Sequence, residues 1–391
     1  MHHNHAAVVL DLSANGIGII RSLARKGITV YAFDTEKPYK IGRSRLATCG
    51  ICPSPLTEEQ ALLDFLITLA KSKEHKPVLY TGADDYVTFM AKFRQELLHY
   101  YLFILPSDEL IETLIDKEKT YQLALRHQIP VPKTVKIPSE EALLQVIPEL
   151  TYPCLLKPVR GHEFRKTINK KAFAIHSEEE LRAAYDTYRA HGELILQELI
   201  PGDNHCFYKV ATFYDENMRL LALFTLQKNH QFPPEFGTGA HIVSRETPEL
   251  TELCLPFFKE LHLTGIGMAE FKKDPRDGVY KFIEINPRFW LTHSLTGASG
   301  IDFAYLYYLH LTGQHVKPQL QQTNGVKWIY LVRYYLTYRQ KKKAGEMTAR
   351  DFWRGFRGKK EYALFAWDDL MPFIRSTWSH LKNAWKRRKE N

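Results

Sequence analysis

Short apolar runs alternate with helical spacing over the first hundred residues, and pairs of apolar runs joined by turn residues dominate later. Ala7-Val8-Val9-Leu10-Asp11-Leu12 reads as a strand, Ser13-Ala14-Asn15-Gly16-Ile17-Gly18 as a glycine turn, Ile19 to Lys26 as a helix, and Ile28 to Phe33 as a second strand ending at Asp34. This is a βαβ unit. Val78-Leu79-Tyr80-Thr81-Gly82, a helix through Phe93 and Phe103-Ile104-Leu105-Pro106 continue the alternation, which predicts a first domain closing near Leu105. Asp84 and Asp85 fall at a strand's C-terminal end, where open sheets bind ligands and where helices are capped. The Gly-x-Gly lacks a third glycine while Asp34 stands where a dinucleotide site wants an acid, so the turn fits either an NAD site or a plain scaffold.

The later pattern is that of hairpins. Cys206 to Tyr214 and Leu220 to Lys228 flank Asp215-Glu216-Asn217, and Gly265 to Phe271 and Lys281 to Ile285 flank Lys273-Asp274-Pro275-Arg276-Asp277-Gly278. Alternation along a strand assigns Glu284 and Asn286 to one face and Ile283 and Ile285 to the other. Pairing symmetric about the loop sets Glu270 opposite Glu284. Facing carboxylates repel unless a positive charge lies between them, and Mg²⁺, which takes carboxylate and amide oxygens, suits the set. Arg288, just beyond, can grip a second anion with its two-pronged guanidinium. The alternative is solvated charge on an exposed hairpin.

Tyr152-Pro153-Cys154-Leu155-Leu156-Lys157-Pro158 delivers a lysine from a buried strand, and its desolvation calls for an anion. Asp116-Lys117-Glu118-Lys119 leads a helix closed by His127-Gln128-Ile129-Pro130-Val131-Pro132; taken alone, Lys117 is an ordinary solvated lysine. Leu194 to Asp203 reads as a strand and a Pro-Gly turn. The polar stretch 159–171, with Arg160, His162, Arg165, Asn169 and Lys170, reads as a mobile lid. Phe236-Gly237-Thr238-Gly239 reads as a loop, and Thr296 to Gly300 opens a helix whose start would bind an anion or merely turn the chain.

In order and spacing, Glu270, Glu284, Asn286 and Arg288 resemble the end of an ATP-grasp domain, and the preceding segments carry the likeness from residue 1 to about 313. The resemblance implies an α/β (α+β) ATP-grasp fold, with a Rossmann-like domain over 1–105, the ATP-grasp domain over 106–313, and a basic, aromatic region over 314–391 outside the likeness. It implies that Glu270, Glu284 and Asn286 bind Mg²⁺, that Arg288 contacts the transferring phosphate, and that Lys228 emerges near it. Lys117 and Lys157 would hold the nucleotide phosphates. Glu198 and Ile200 would offer backbone groups to adenine, with Asp203, or else His205, on the ribose hydroxyls. ATP and Mg²⁺ are the implied cofactors. The basic lid departs from the glycine-rich flap of many members.

A chain of 391 residues, 45% hydrophobic and 25% charged, allows two or three soluble domains. Its five scattered cysteines predict a reducing compartment, and Cys49-Gly50-Ile51-Cys52 is a lone Cys-x-x-Cys that reads as ordinary thiols before a metal or redox pair. No cationic and apolar leader opens the chain, and no apolar run reaches the roughly 18 residues of a spanning helix, so a cytoplasmic location is expected.

Charge changes the picture only at the end. From Val326 to Asn391, 17 Lys and Arg face 6 Asp and Glu, a net of +11; the whole chain carries +9, so the first 325 residues stand at −2. Five of the six tryptophans lie in the same region, and Leu370, Ile374, Trp378, Leu381 and Trp385 follow helical spacing. Such a stripe suits an anionic membrane surface at the inner face, or packs on the body as a terminal helix. Nucleic acid is not expected, for no reader fold accompanies the basic tail.

Within ATP-grasp proteins the likeness is to carboxylate–amine ligases resembling D-aspartate ligase. This implies an amide formed through an acyl phosphate, from an amino-acid carboxylate and an amine on a cell-envelope precursor or polymer, with a homodimer among the expected assemblies. The alternatives are a soluble dipeptide-forming amino-acid ligase and a non-catalytic, membrane-associated nucleotide sensor.

Overall fold

Three sheets follow one another along the chain. The computed structural model describes residues 4–35, 43–159, 168, 172–234 and 237–390, with side chains of the last helix described to His380 and at Lys382. The lid residues Arg160, His162, Arg165, Asn169 and Lys170 lie outside the described residues, as do Phe236 and the side chains of Leu381 and Trp385.

The first sheet is parallel, ordered β3-β2-β1-β4, from β1 (Ala7–Leu10), β2 (Val30–Asp34), β3 (Thr48–Ile51) and β4 (Val78–Thr81). A strand apolar at every position must be covered on both faces. Accordingly Ala7 and Val9 share a core with the helix Ala14–Ala24, and Val8 and Leu10 share another with Glu59–Lys71.

The glycine turn is a packing device. Ser13 caps the helix by accepting from Asn15 N, and a Cβ on Gly16 would sit 1.7 Å from the Asp11 carbonyl oxygen. A Cβ on Gly18 would meet the His293 ring at 2.6 Å, so this glycine lets the first domain close on the later one. Asp34 is buried and accepts from Leu12 N at 3.0 Å and Thr35 N at 2.8 Å, which spends its oxygens on its own chain. These contacts belong to a scaffold and leave no acid for a ribose. Cys49 and Cys52 are free thiols; Cys52 lies 3.5 Å from the Tyr86 hydroxyl, and burial pushes it up to about 11, away from the reactive thiolate.

The second sheet is antiparallel, ordered β5-β8-β6-β7, from β5 (Thr134–Ile137), β6 (Cys154–Pro158), β7 (Phe173–Ile175) and β8 (Leu194–Glu198). Leu143, Leu181 and Tyr185, on helices Glu140–Val146 and Glu178–Tyr188, share its core.

The third sheet runs β13-β12-β9-β10-β11-β14-β15, from β9 (Phe207–Tyr214), β10 (Leu220–Phe232), β11 (Thr238–Ser244), β12 (Gly265–Lys273), β13 (Tyr280–Asn286), β14 (Lys327–Ile329) and β15 (Lys360–Tyr362). Both expected hairpins form, and β9 also pairs antiparallel with β12, which joins them into one surface. Thr238 and Gly239, expected in a loop, open β11. The helix after Gly300 begins at Phe303; its cap is Asp302, whose carboxylate accepts from Ser22 Oγ at 2.6 Å and pairs with Lys26, so an acid already occupies that helix start.

Two strands of this sheet, β14 and β15, come from beyond Gln314, and Trp328 on β14 is fully buried. The same region is clamped to the first helix. Arg21 donates to Asp369 Oδ2 at 3.0 Å, to the Leu364 carbonyl at 2.7 Å and to the Asp369 carbonyl at 2.8 Å, while Ser44 Oγ and Arg45 N also donate to Asp369. Both charged side chains are buried. Removing one partner strands the other charge, so Arg21→Ala is expected to cost about 3–5 kcal/mol in urea unfolding. A loss below about 1 kcal/mol would show that the clamp carries no stability.

Candidate nucleotide and metal site

The site is built where β12 and β13 meet β9. Next to the hairpin loop, Lys273 pairs with Tyr280, Lys272 with Lys281 and Phe271 with Phe282; then a one-residue bulge at Ile283 shifts the register. Without it Glu270 would face Ile283. With it Glu270 faces Glu284, and Phe282 and Ile285, three residues apart, reach the same core. Asn286 Nδ2 donates to Glu284 Oε1 at 3.2 Å, so the amide and the carboxylate expected to share a face do meet.

Cations surround this acid pair. Lys209 lies opposite Glu270 across β9 and β12, with its Nζ 2.6 Å from the carboxylate, and Lys228 Nζ lies 3.2 Å from the other oxygen. Burial alone would raise the Glu270 carboxyl, but the two ammonium groups outweigh it and hold it well below the ordinary range. Lys228 is buried beneath the site, 3.9 Å from the Phe207 ring centroid and donating to Gln231; burial lowers its affinity for a proton.

Lys157, at the end of β6, donates to Gln197 on β8. Burial, then the nearby charge of Lys117, brings its ammonium down to about 7. Lys117 itself opens the helix Lys117–Arg126, which Asp116 caps from Lys119 N, and its backbone N–H donates to the Val159 carbonyl just past Lys157. The second sheet and the helix at its edge therefore bring Lys117 beside Lys157, and Glu284 and Glu270 of the third sheet act on Lys157 in turn.

Arg288 reaches the other way. It pairs with Asp84 of the first domain and donates to Asn286 Oδ1 at 2.9 Å. Burial opposes its charge, but Asp84 more than restores it. A chain of contacts thus runs from Asp84 through Arg288 and Asn286 to Glu284. Asp84 lies in the first turn of its helix and Ala83 is the cap.

The adenine and ribose candidates meet this cluster at Lys272. Glu198 pairs with Arg276 and, at 3.6 Å, with Lys281, and its N–H donates to the Lys133 carbonyl. The Ile200 carbonyl accepts from Lys272 Nζ at 2.6 Å. Asp203 caps the turn Asn204–Cys206 by accepting from His205 N at 2.9 Å.

Lys209 and Lys272 escape a reading of local pattern, while Asp84, legible as an acid at a strand's C-terminal end, gives no sign there of its partner Arg288. The first two are signalled by alternation along β9 and β12, but only once those strands are known to be neighbours.

Taken together, Lys117, Lys157, Lys209, Lys228 and Lys272 outnumber the two carboxylates, and burial first, then mutual repulsion, lowers the proton affinity of Lys157, Lys228 and Lys272. A polyphosphate relieves that repulsion. Among the described residues no group of three His, Cys, Asp or Glu forms a metal nest. Glu270, Glu284 and Asn286 fit a Mg²⁺ that takes its remaining ligands from phosphate and water. Such an arrangement fits a nucleoside triphosphate. Residues 116–312, half of the chain, match the family model of the carbamoyl-phosphate synthase L chain, ATP binding domain, and the chain belongs to that ATP-grasp family.

D-aspartate ligase of Enterococcus faecium (strain Aus0004) is 27% identical over 319 residues, which cover 76% of this chain and 74% of the relative. The pyruvate carboxylases that the chain also matches are covered over only 17–24% of their own length. Among solved structures, N5-carboxyaminoimidazole synthetase from Staphylococcus aureus complexed with ADP aligns at a TM-score of 0.67 and 15% identity, over 88% of this chain and 87% of that one. The L-amino acid ligase from Bacillus licheniformis aligns at 0.59 and 16%, over 81% and 78%. The chain is therefore an ATP-grasp ligase of the ADP-forming class, and ATP and Mg²⁺ are its expected cofactors.

Proposed function

We propose that this protein is a carboxylate–amine ligase that activates an amino-acid carboxylate with ATP and joins it to an amine on a cell-envelope precursor or polymer. The observation that carries the reading is the facing pair Glu270 and Glu284, with Asn286 beside it, ringed by lysines from both sheets. Similarity to D-aspartate ligase over three quarters of both chains supports an amino acid as the acid, and D-aspartate is the first donor to test.

Glu270, Glu284 and Asn286 would hold the Mg²⁺, which when bound would neutralise charge on the phosphoryl oxygens. The chain's own residues do the rest. Lys117 and Lys157 bind the outer phosphates, and Arg288, held by Asp84, orients the group being transferred. A carboxylate oxygen attacks the γ-phosphorus and ADP departs with the electrons of the broken P–O bond. The amine nitrogen then attacks the acyl carbon, phosphate leaves, and the ammonium proton passes to solvent. No protein nucleophile is needed.

ADP release is the test, measured across D- and L-amino acids with and without amine acceptors, with hydroxylamine added to trap an acyl phosphate as a hydroxamate. A hydroxamate that depends on both ATP and one amino acid is expected. Absence of ADP release with every amino acid and acceptor would overturn the reading and favour a nucleotide sensor.

A further inference from the structure

We propose that the C-terminal region is a docking face for a lipid bilayer rich in anionic headgroups. The terminal helix Met371–Glu390 sits on the body by its small and polar line: Pro372 and Ser376 are buried, the Ser376 hydroxyl is 2.9 Å from that of Tyr330, and His380 meets the Tyr330 ring edge-on. Phe373 packs against the core as well, while the line of Ile374 and Trp378 points outward. Ile374 is 53% exposed and Trp378, one turn on, 71%. A helix of a soluble body normally does the opposite, so an apolar line left in water marks a surface that something covers.

Trp367, 81% exposed, is joined through Phe365 to Phe373 of the same helix, and Trp353 is 66% exposed on the helix Ala349–Arg354. Three indoles in water within 26 residues are costly unless they have a second environment.

Charge selects the occupant. Of the six acids between Val326 and Asn391, Asp369 is turned inward to Arg21, Asp368 pairs with Arg25, and Asp351 accepts from Thr348 as its helix's capping partner. Arg339, Lys342, Lys343, Arg350 and Arg357 remain exposed. Three of the acids are thus engaged within the region or with the first helix, Glu346 pairs with Lys341, and those five cations are left exposed. Amphipathic indoles at headgroup level among lysines and arginines match the interface of an anionic bilayer. No helix among the described residues is long and apolar enough to cross a membrane, so the fit is to lying on the surface.

Sedimentation of the full chain with vesicles of phosphatidylcholine, alone or mixed with phosphatidylglycerol, tests this without any need for catalysis. Its failure is therefore separable from failure of the ligase reading. Binding to the mixed vesicles is expected, with a blue shift of tryptophan fluorescence, and weakening as NaCl rises from about 0.1 to about 0.5 M. The combined variant W353A, W367A and W378A is expected to lose at least about tenfold in vesicle partitioning with unchanged thermal midpoint and unchanged ADP release in solution. Lack of binding to either vesicle, equal binding to both, or a face that instead holds a second copy of the chain or nucleic acid would overturn the proposal.

Discussion

Glu284→Ala is expected to lower kcat for ADP release by about 10²–10³-fold, the loss typical when one group that stabilises transferring charge is removed. Glu284 is half-buried and bonded to Asn286, and its partner across the hairpin, Glu270, is already engaged by Lys209 and Lys228. Glu284 also acts on Lys157, Lys228 and Arg288, so its loss removes one of the two carboxylates that would hold a metal and a counter-charge to the lysines. The variant should need more Mg²⁺ for half-maximal rate. Wild-type kcat at ordinary Mg²⁺ would remove the two-carboxylate account of the site.

Lys157→Met is expected to weaken ATP binding and to lower kcat/KM by about 10²-fold, and it carries a pH signature that Glu284 does not. In the free protein the Lys157 ammonium titrates at about 7, lowered first by burial and then by Lys117. Only the charged form attracts phosphate. Below pH 6 the lysine is already protonated and affinity should be flat with respect to this group. Above 7 binding must take up a proton, so affinity should fall by up to about tenfold per pH unit until the pKa of the bound state is reached. Calorimetry in buffers of different ionisation enthalpy would read that proton directly near pH 8. Lys157→Met should abolish both the proton uptake and the slope. Proton uptake that persists in the variant would assign it to another group.

Much of the catalytic face was legible because it lies on hairpins. The β12–β13 loop is local and its Pro and Gly announce it; the expected pairing of Glu270 with Glu284 is found, but it is the bulge at Ile283 that brings the two level. The alternation reading of the same strand was less accurate, since the bulge at Ile283 puts Phe282 and Ile285 into one core, and an extra residue in a ladder leaves no mark in composition. The ATP-grasp likeness rested on the order of Lys117, Lys157 and the acids, and the match over 116–312 shows that family. Lys209 was invisible for the opposite reason: its importance comes from β9 lying beside β12, where its partner Glu270 is 61 residues away in sequence (270 − 209).

What the sequence by itself determined was every feature that arises within a few residues: the βαβ opening, the two hairpins, the caps at Ser13 and Asp116, and the lysine at the end of a buried strand. Side-chain period and turn chemistry are local, so the chain states them outright. Only the tertiary structure decided that Asp84 would hold Arg288, that Gly18 would receive His293, and that the terminal helix would turn Trp378 outward. Each of those depends on which distant surface arrives, and the cost of leaving a charge unpaired or a cavity unfilled is settled only when the domains close.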